Sequence, residues 1–319
     1  MPKGDFCWDI AWAAQAACIL EANAPKVGNV NRLNDFADCS LEDFHMSAVA
    51  IAEPLGWVKA LGVGQTIRAA IQATRQAVST NTNLGMVLLL VPLAMAWSLM
   101  EQSCEEKNGV GEKKEPQREG WAREIANVLT GLTAEDTRYV YEAIRIAGPS
   151  GMGHSESHDV YQENSPDITL LEAMRLAASW DMVALEYVNQ FHTVLEVGLP
   201  ALERALNDGL SLPYATAHTH LFLLSQFPDT LIARKVGASL SETVQARAQM
   251  VWEEGGWRTD AGRAQAAEFD AWLRKDGHHL NPGATADLIA AILFVLFLEN
   301  GLGLWEKTRQ GKVNLQTNK

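Results

Sequence analysis

Cysteine is scarce in this chain: four residues, at positions 7, 18, 39 and 104, among 319. No two form a Cys-x-x-Cys pair, and four cannot staple a chain of this length, so a disulfide framework is excluded. A reducing compartment follows, and a cytoplasmic location is expected. Cationic side chains are also few, 26 Lys and Arg against 39 Asp and Glu, which gives a formal charge of −13. Tracking a nucleic-acid backbone needs clustered Lys and Arg, so nucleic acid is not expected as a partner, although a small basic pocket for a phosphorylated molecule remains compatible. Long apolar runs are missing as well. The two richest, 84–97 and 288–298, hold fourteen and eleven residues, short of the roughly 20 that span a bilayer. They read as buried core helices, and no membrane association is expected. Segment 8–20 contains Asp9 and Gln15 and no clear cleavage site, so it reads as a helix and not as a signal peptide.

What is present is ample material for a core, with 47% hydrophobic and 20% charged residues. Apolar residues recur at helical spacing over 8–23, 41–56, 66–78, 85–101, 118–130, 134–147, 170–197, 200–206, 214–226, 240–253 and 284–298. Strict alternation of β-branched with polar residues is absent. The expected fold is all-α, a single multi-helix bundle domain over 1–319 with two apolar helices buried at its centre. Ser40 to Asp43, Thr133 to Asp136 and Ser239 to Glu242 have the pattern of capped first turns. Polar breaks fall at 104–120, 148–167 and 253–262, and there is no internal repeat.

Polar residues gather at helix ends in four knots. After the first helix, which Pro25 cannot continue, Gly28 permits a turn, and Lys26, Asn29 and Arg32 offer donors close together. Ser79-Thr80-Asn81-Thr82-Asn83 precedes one apolar helix, whose free N–H groups and dipole suit a phosphate. His279 to Asp287, with Asn281 and Thr285, opens the other and places Asp287 in its first turn. Asp229 is followed by Arg234 and Lys235. Taken alone, each knot also reads as a cap or a helix-end ion pair. Two buried helices that begin in polar clusters point to one shared pocket at their ends. His218 and His220, two apart on a helix, direct their rings about 200° apart, so zinc is not expected.

The ordered motifs PKxGNV, NTNxG, DTLIARKxG and NPGxTADL resemble the triphosphoribosyl-dephospho-CoA synthase family, in particular its archaeal and methylotroph branch. Agreement extends to Phe44-His-Met-Ser47-Ala, Pro92-Leu-Ala, 136–147 and 181–191. The resemblance implies a helical transferase that moves the triphosphoribosyl group of ATP to an alcohol such as the 2′-hydroxyl of dephospho-CoA, with adenine leaving. Such chemistry needs acids for an oxocarbenium-like centre and its protons, and cations for the polyphosphate. Glu21, Asp38 and Asp229 are the candidate catalytic acids. His154 and Asp159, in a loop resembling an HG-containing motif of the lyase branch, are candidate proton carriers. Lys26, Gly28, Asn29, Arg32, Asn81, Thr82, Asn83, Arg234, Lys235, Asn281 and Thr285 are the candidate donor-binding residues. Asp43 and Asp287 are the candidate ligands for Mg²⁺, the expected cofactor. The lyase branch carries NTHKG where this chain has Asn81-Thr82-Asn83-Leu84-Gly85, which removes up to two cations. A phosphoribosyl diphosphate donor with a pterin-type alcohol is therefore the alternative, and a non-catalytic nucleotide-binding or scaffold protein the second alternative. Homo-oligomerisation is left open.

Overall fold

The computed structural model describes residues 5–108, 118–149, 160 and 167–309, with the side chains of 103–108 excepted. Among them the chain forms α-helices and no strand. In order these are α1 (Trp8–Asn23), α2 (Leu41–Gly56), α3 (Val58–Leu61), α4 (Val63–Ala77), α5 (Leu84–Asn108), α6 (Arg118–Thr130), α7 (Ala134–Ala147) and α8 (Leu170–Ala177). Then come α9 (Met182–Val188), α10 (Leu199–Asn207), α11 (Leu212–Gln226), α12 (Thr230–Val236), α13 (Ala238–Glu253), α14 (Asp260–Leu273), α15 (Gly283–Asn300) and α16 (Leu304–Arg309). The all-α expectation is met.

α5 and α15 are apolar on every side because both are surrounded by protein. Fourteen of the eighteen residues of α15 are buried. By length and composition alone each of the two could cross a membrane, but 78% of each apolar window is buried inside the protein. α5 contains Pro92, whose nitrogen cannot donate to the carbonyl of Leu88 one turn earlier. The hydroxyl of the buried Tyr187 takes that place, donating to Leu88 O at 2.6 Å. A second, smaller group of buried side chains, including Leu221, Val244 and Phe269, lies among α11, α13 and α14.

Two of the expected caps are present: Asp43 accepts from Ser40 N at 2.8 Å and Asp136 from Thr133 N at 2.8 Å. The third is not. α13 begins at Ala238 because Gly237, at φ +97°, turns the chain ahead of Ser239. The single helix expected over 170–197 is broken in two places. Asp181 caps a new helix, α9, accepting from Val183 N at 2.8 Å and Ala184 N at 3.0 Å. Gln190 and Phe191 then take positive φ, 58° and 60°, before a π-helical turn, Thr193–Gly198. Buried Glu186 holds this strained reversal by accepting from Val194 N at 3.1 Å. The sequence pattern also passed over α12 and α14, which are short or Ala-rich.

Candidate functional site

The turn after α1 is built around Gly28. Its φ is +73°, and a Cβ there would lie 2.8 Å from Leu273 Cδ1, so glycine is required twice over. Its N–H donates to Asp270 Oδ1 at 2.7 Å. The turn delivers Asn29, whose Nδ2 donates to Asn281 Oδ1 at 2.7 Å. The knot after α1 is thereby tied to the knot before α15.

Asp229 ties two more elements together. Its Oδ1 accepts from Leu231 N at 2.9 Å and Ile232 N at 3.0 Å, which caps α12. Its Oδ2 accepts from Thr285 N at 2.7 Å and Thr285 Oγ1 at 2.8 Å at the start of α15. Burial raises its pKa while these bonds oppose the rise. With both oxygens saturated, Asp229 has none to offer a substrate proton. The expected catalytic acid is a fully buried staple between helix N-termini, and Thr285 is its partner and not a ligand contact.

These ties frame a cavity of about 1020 Å³ whose walls include Asn29, Asn81, Arg234, Lys235, Asn281 and Asp287. All four polar knots reach it. Glu21 lies deep in it, 2% exposed, and burial raises its pKa against the pull of Lys26. Asp287 is enclosed by protein on its sides and opens to the cavity. Burial holds its pKa well above the usual carboxylate range, reinforced by Glu21, Asp229 and Asp181 and opposed by Arg234. Among the described residues it has no hydrogen-bond or ion-pair partner. It sits against Gly85 at the start of α5, where a Cβ would overlap its carboxylate. Asp287 is the fifth residue of α15 and so lies just past the first turn where it was expected.

Cationic side chains line the same cavity. Lys235 Nζ donates to His278 O at 3.3 Å, and burial pulls its pKa down. Arg234 pairs with Asp181. Asp38 is exposed and 3.4 Å from His278 Nδ1, which makes it a rim residue. Asn81 accepts from Leu84 N at 3.2 Å, and Thr82 Oγ1 shares a hydrogen with Ser47 Oγ at 2.5 Å.

Other expected site residues are placed elsewhere. Lys26 is 1% exposed and turned inward, with Nζ 2.9 Å from Glu21 Oε1. It neutralises a buried acid instead of meeting a phosphate. Gly28 shapes the turn without lining the cavity, and Arg32 is exposed and outside its walls. Asn83, by contrast, does line the cavity: it is 4% exposed, its Nδ2 donates to Thr74 Oγ1 at 3.0 Å and joins α4 to the start of α5, and its buried Oδ1 has no partner among the described residues. Asp43 spends Oδ2 on the cap of α2. Among the described residues no three His, Cys, Asp or Glu side chains converge as metal ligands, so those residues do not build a protein cage for Mg²⁺. His154 and Asp159 lie outside the described residues. His218 and His220 are buried, and burial lowers their pKa values to about 4 and about 3, as in neutral core imidazoles.

Two polar residues escaped the sequence pattern. Asp181 resembled the interior of a long helix, and only its role as an N-cap would have marked it. Arg75, in the last turn of α4, resembled an ordinary dipole-compensating cation. It lines the cavity mouth and donates to Ser79 O. A guanidinium from α4 thus stands beside the motif that lacks the lysine. The cavity walls also include Tyr141, Ile144, Leu170, Met174 and Trp180, an apolar and aromatic contribution from α7, α8 and the turn after α8.

Fold and site together define a class: an all-α bundle with a large cavity whose walls combine acids, cations and apolar side chains. A family model described as CitG, ATP:dephospho-CoA triphosphoribosyl transferase, matches residues 7–306, and the chain belongs to that family of transferases. A Pseudomonas putida protein assigned as a 2-(5″-triphosphoribosyl)-3′-dephosphocoenzyme-A synthase is 40% identical over 107 residues, 33% of this chain and 37% of that protein. The match therefore spans little more than a third of that relative. A Vibrio cholerae protein assigned the same way is 26% identical over 87% of this chain and 84% of its own length. The fold is shared with a solved Archaeoglobus fulgidus protein, likewise assigned as a triphosphoribosyl-dephospho-CoA synthase. The two superpose at a TM-score of 0.58 with 24% identity, covering 79% of this chain and 97% of that one.

Proposed function

We propose that this protein transfers the triphosphoribosyl group of ATP to a hydroxyl of dephospho-CoA, with release of adenine. The observation that carries the reading is the meeting of acids and cations around one cavity in a member of this family. Asp287, a carboxyl with no partner among the described residues, and the buried Glu21 line the same cavity as Arg75, Arg234 and Lys235. A carboxyl that gives its proton to the departing adenine is left as a carboxylate beside the cationic ribosyl centre, and the cations favour the polyphosphate. In that reaction the C1′–N9 bond of ATP breaks as a C1′–O bond to the acceptor forms. The hydroxyl proton ends on adenine. We assign the passage of that proton to Asp287, a reading supported by a carboxyl with no partner among the described residues and by burial, which favours its protonated form. The apolar side chains in the cavity wall suit the non-ionic arm of a coenzyme-like acceptor. A magnesium ion on the polyphosphate is compatible with this reading, and no step depends on it.

Incubating the protein with ATP and following adenine by chromatography tests the reading. Adenine is expected only when dephospho-CoA is also present. No adenine, with acceptor-dependent diphosphate release from phosphoribosyl diphosphate and a pterin alcohol, would replace it with the alternative donor and acceptor. Silence in both assays would leave a binding role.

A further inference from the structure

Arg234 is poised at the cavity wall in an unusual way. It lies in the last turn of α12, a seven-residue helix that has little rigidity of its own. Two links hold it to α9: Thr230 Oγ1 accepts from Met182 N at 3.2 Å, and the Asp181 carboxylate pairs with the Arg234 guanidinium. Asp181 divides its oxygens, giving Oδ1 to the backbone N–H groups of Val183 and Ala184 and Oδ2 to Arg234. The carboxylate is therefore fixed before it meets the arginine. Arg234 Nε is buried without an acceptor, and the side chain is 22% exposed, so the guanidinium keeps donors that the protein does not satisfy. A rigid fork with open donors in a cavity is the arrangement that binds phosphate oxygens bidentately.

We infer that Asp181 is a positioning residue, which acts through Arg234 to set its guanidinium for the polyphosphate of the donor. This rests on the transfer reading above. Simple electrostatics predicts the opposite sign from positioning. Asp181 is an anion at the cavity wall, so removing its charge should tighten the binding of another anion. If Asp181 instead aims Arg234, its loss weakens anion binding, and only while Arg234 is present.

The test is a double-mutant cycle of Asp181→Asn and Arg234→Gln on the full chain, read by calorimetric titration with ATP and with inorganic tripolyphosphate and by KM and kcat for adenine release. Asparagine caps a helix as well as aspartate, so α9 is retained. Asp181→Ser, which can cap but lacks the second oxygen, replaces it if the first variant melts early. Asp181→Asn is expected to weaken both anions about tenfold and raise the KM for ATP, with kcat within about twofold. In the Arg234→Gln background the same change should cause no further loss. Unchanged or tighter binding in the single variant, or an equal loss in both backgrounds, would overturn the assignment while leaving the transfer reading intact. A wild-type protein that binds neither anion would overturn both.

Discussion

Asp287 shows how a single side chain sets stability against function. Its carboxyl is desolvated at the cavity wall, feels the charges of Glu21, Asp229 and Asp181 and has no partner among the described residues, and its pKa is raised well above the ordinary value. An acid whose pKa rises on folding stabilises the fold below its unfolded pKa, near 4, and loses that contribution as pH climbs through the folded value. At neutral pH the native state therefore pays for an ionisable group that the unfolded chain holds freely. Asp287→Asn keeps the shape and removes the ionisation. It should raise stability at pH 7 to 8 by about 1–2 kcal/mol, with the gain shrinking toward zero near pH 4, while adenine release falls roughly 10²–10⁴-fold. Thermal melts of both proteins across that pH range, beside the adenine assay, check the pair of effects. A gain that did not vary with pH would place the stabilisation elsewhere.

Between elements, the decisive contact is the one between the start of α5 and the first part of α15. Gly85 leaves room for the Asp287 carboxylate, and a methyl group there would overlap it. Alanine in a helix is favoured over glycine by about 1 kcal/mol, while overpacking costs about 1–3 kcal/mol when nothing can yield. Here the overlapped atoms are the movable end of a side chain, so Gly85→Ala should change stability by less than about 1 kcal/mol. The displaced carboxylate should instead cost about 10²-fold in kcat. Melting and turnover measured on the same preparation separate the two, and a large loss of stability with normal turnover would contradict this view of Gly85. Helical period and capping residues were enough to locate most of the helices, because amphipathic faces and first turns leave local marks. The break at 181–191 left only a faint mark, since Leu, Val and Tyr continue at helical spacing through it, and it is decided by side-chain bonds that Asp181 and Glu186 make to nearby backbone N–H groups.

For the molecule as a whole, the polar knots foretold the cavity better than they foretold the role of each residue. A knot marks where backbone groups at a helix end require partners, and the same Asp or Thr serves a cap or a ligand equally well in sequence. Asp229 and Thr285 met each other, Lys26 met Glu21, and Asp43 met Ser40. Asn29, Asn81, Arg234, Lys235, Asn281 and Asp287 reached the cavity. Arg75 was hidden for a related reason, since its cation comes from α4 and no motif next to Asn83 announces it. The cavity volume of about 1020 Å³ carries a further consequence. Pockets for one drug-sized ligand run from about 300 to 1,000 Å³, so this one lies at the top of that range, and in the transfer proposed above donor and acceptor meet inside it. Joining an ATP-like triphosphate to a pantetheine-type chain through the ribose would make the second half's arrival intramolecular, and such a bisubstrate compound should inhibit about 10²–10⁴-fold more tightly than either half alone. Competition of that compound against both substrates at once, in steady-state inhibition plots, is the expected signature, and competition against only one would mean that the halves take turns in the cavity.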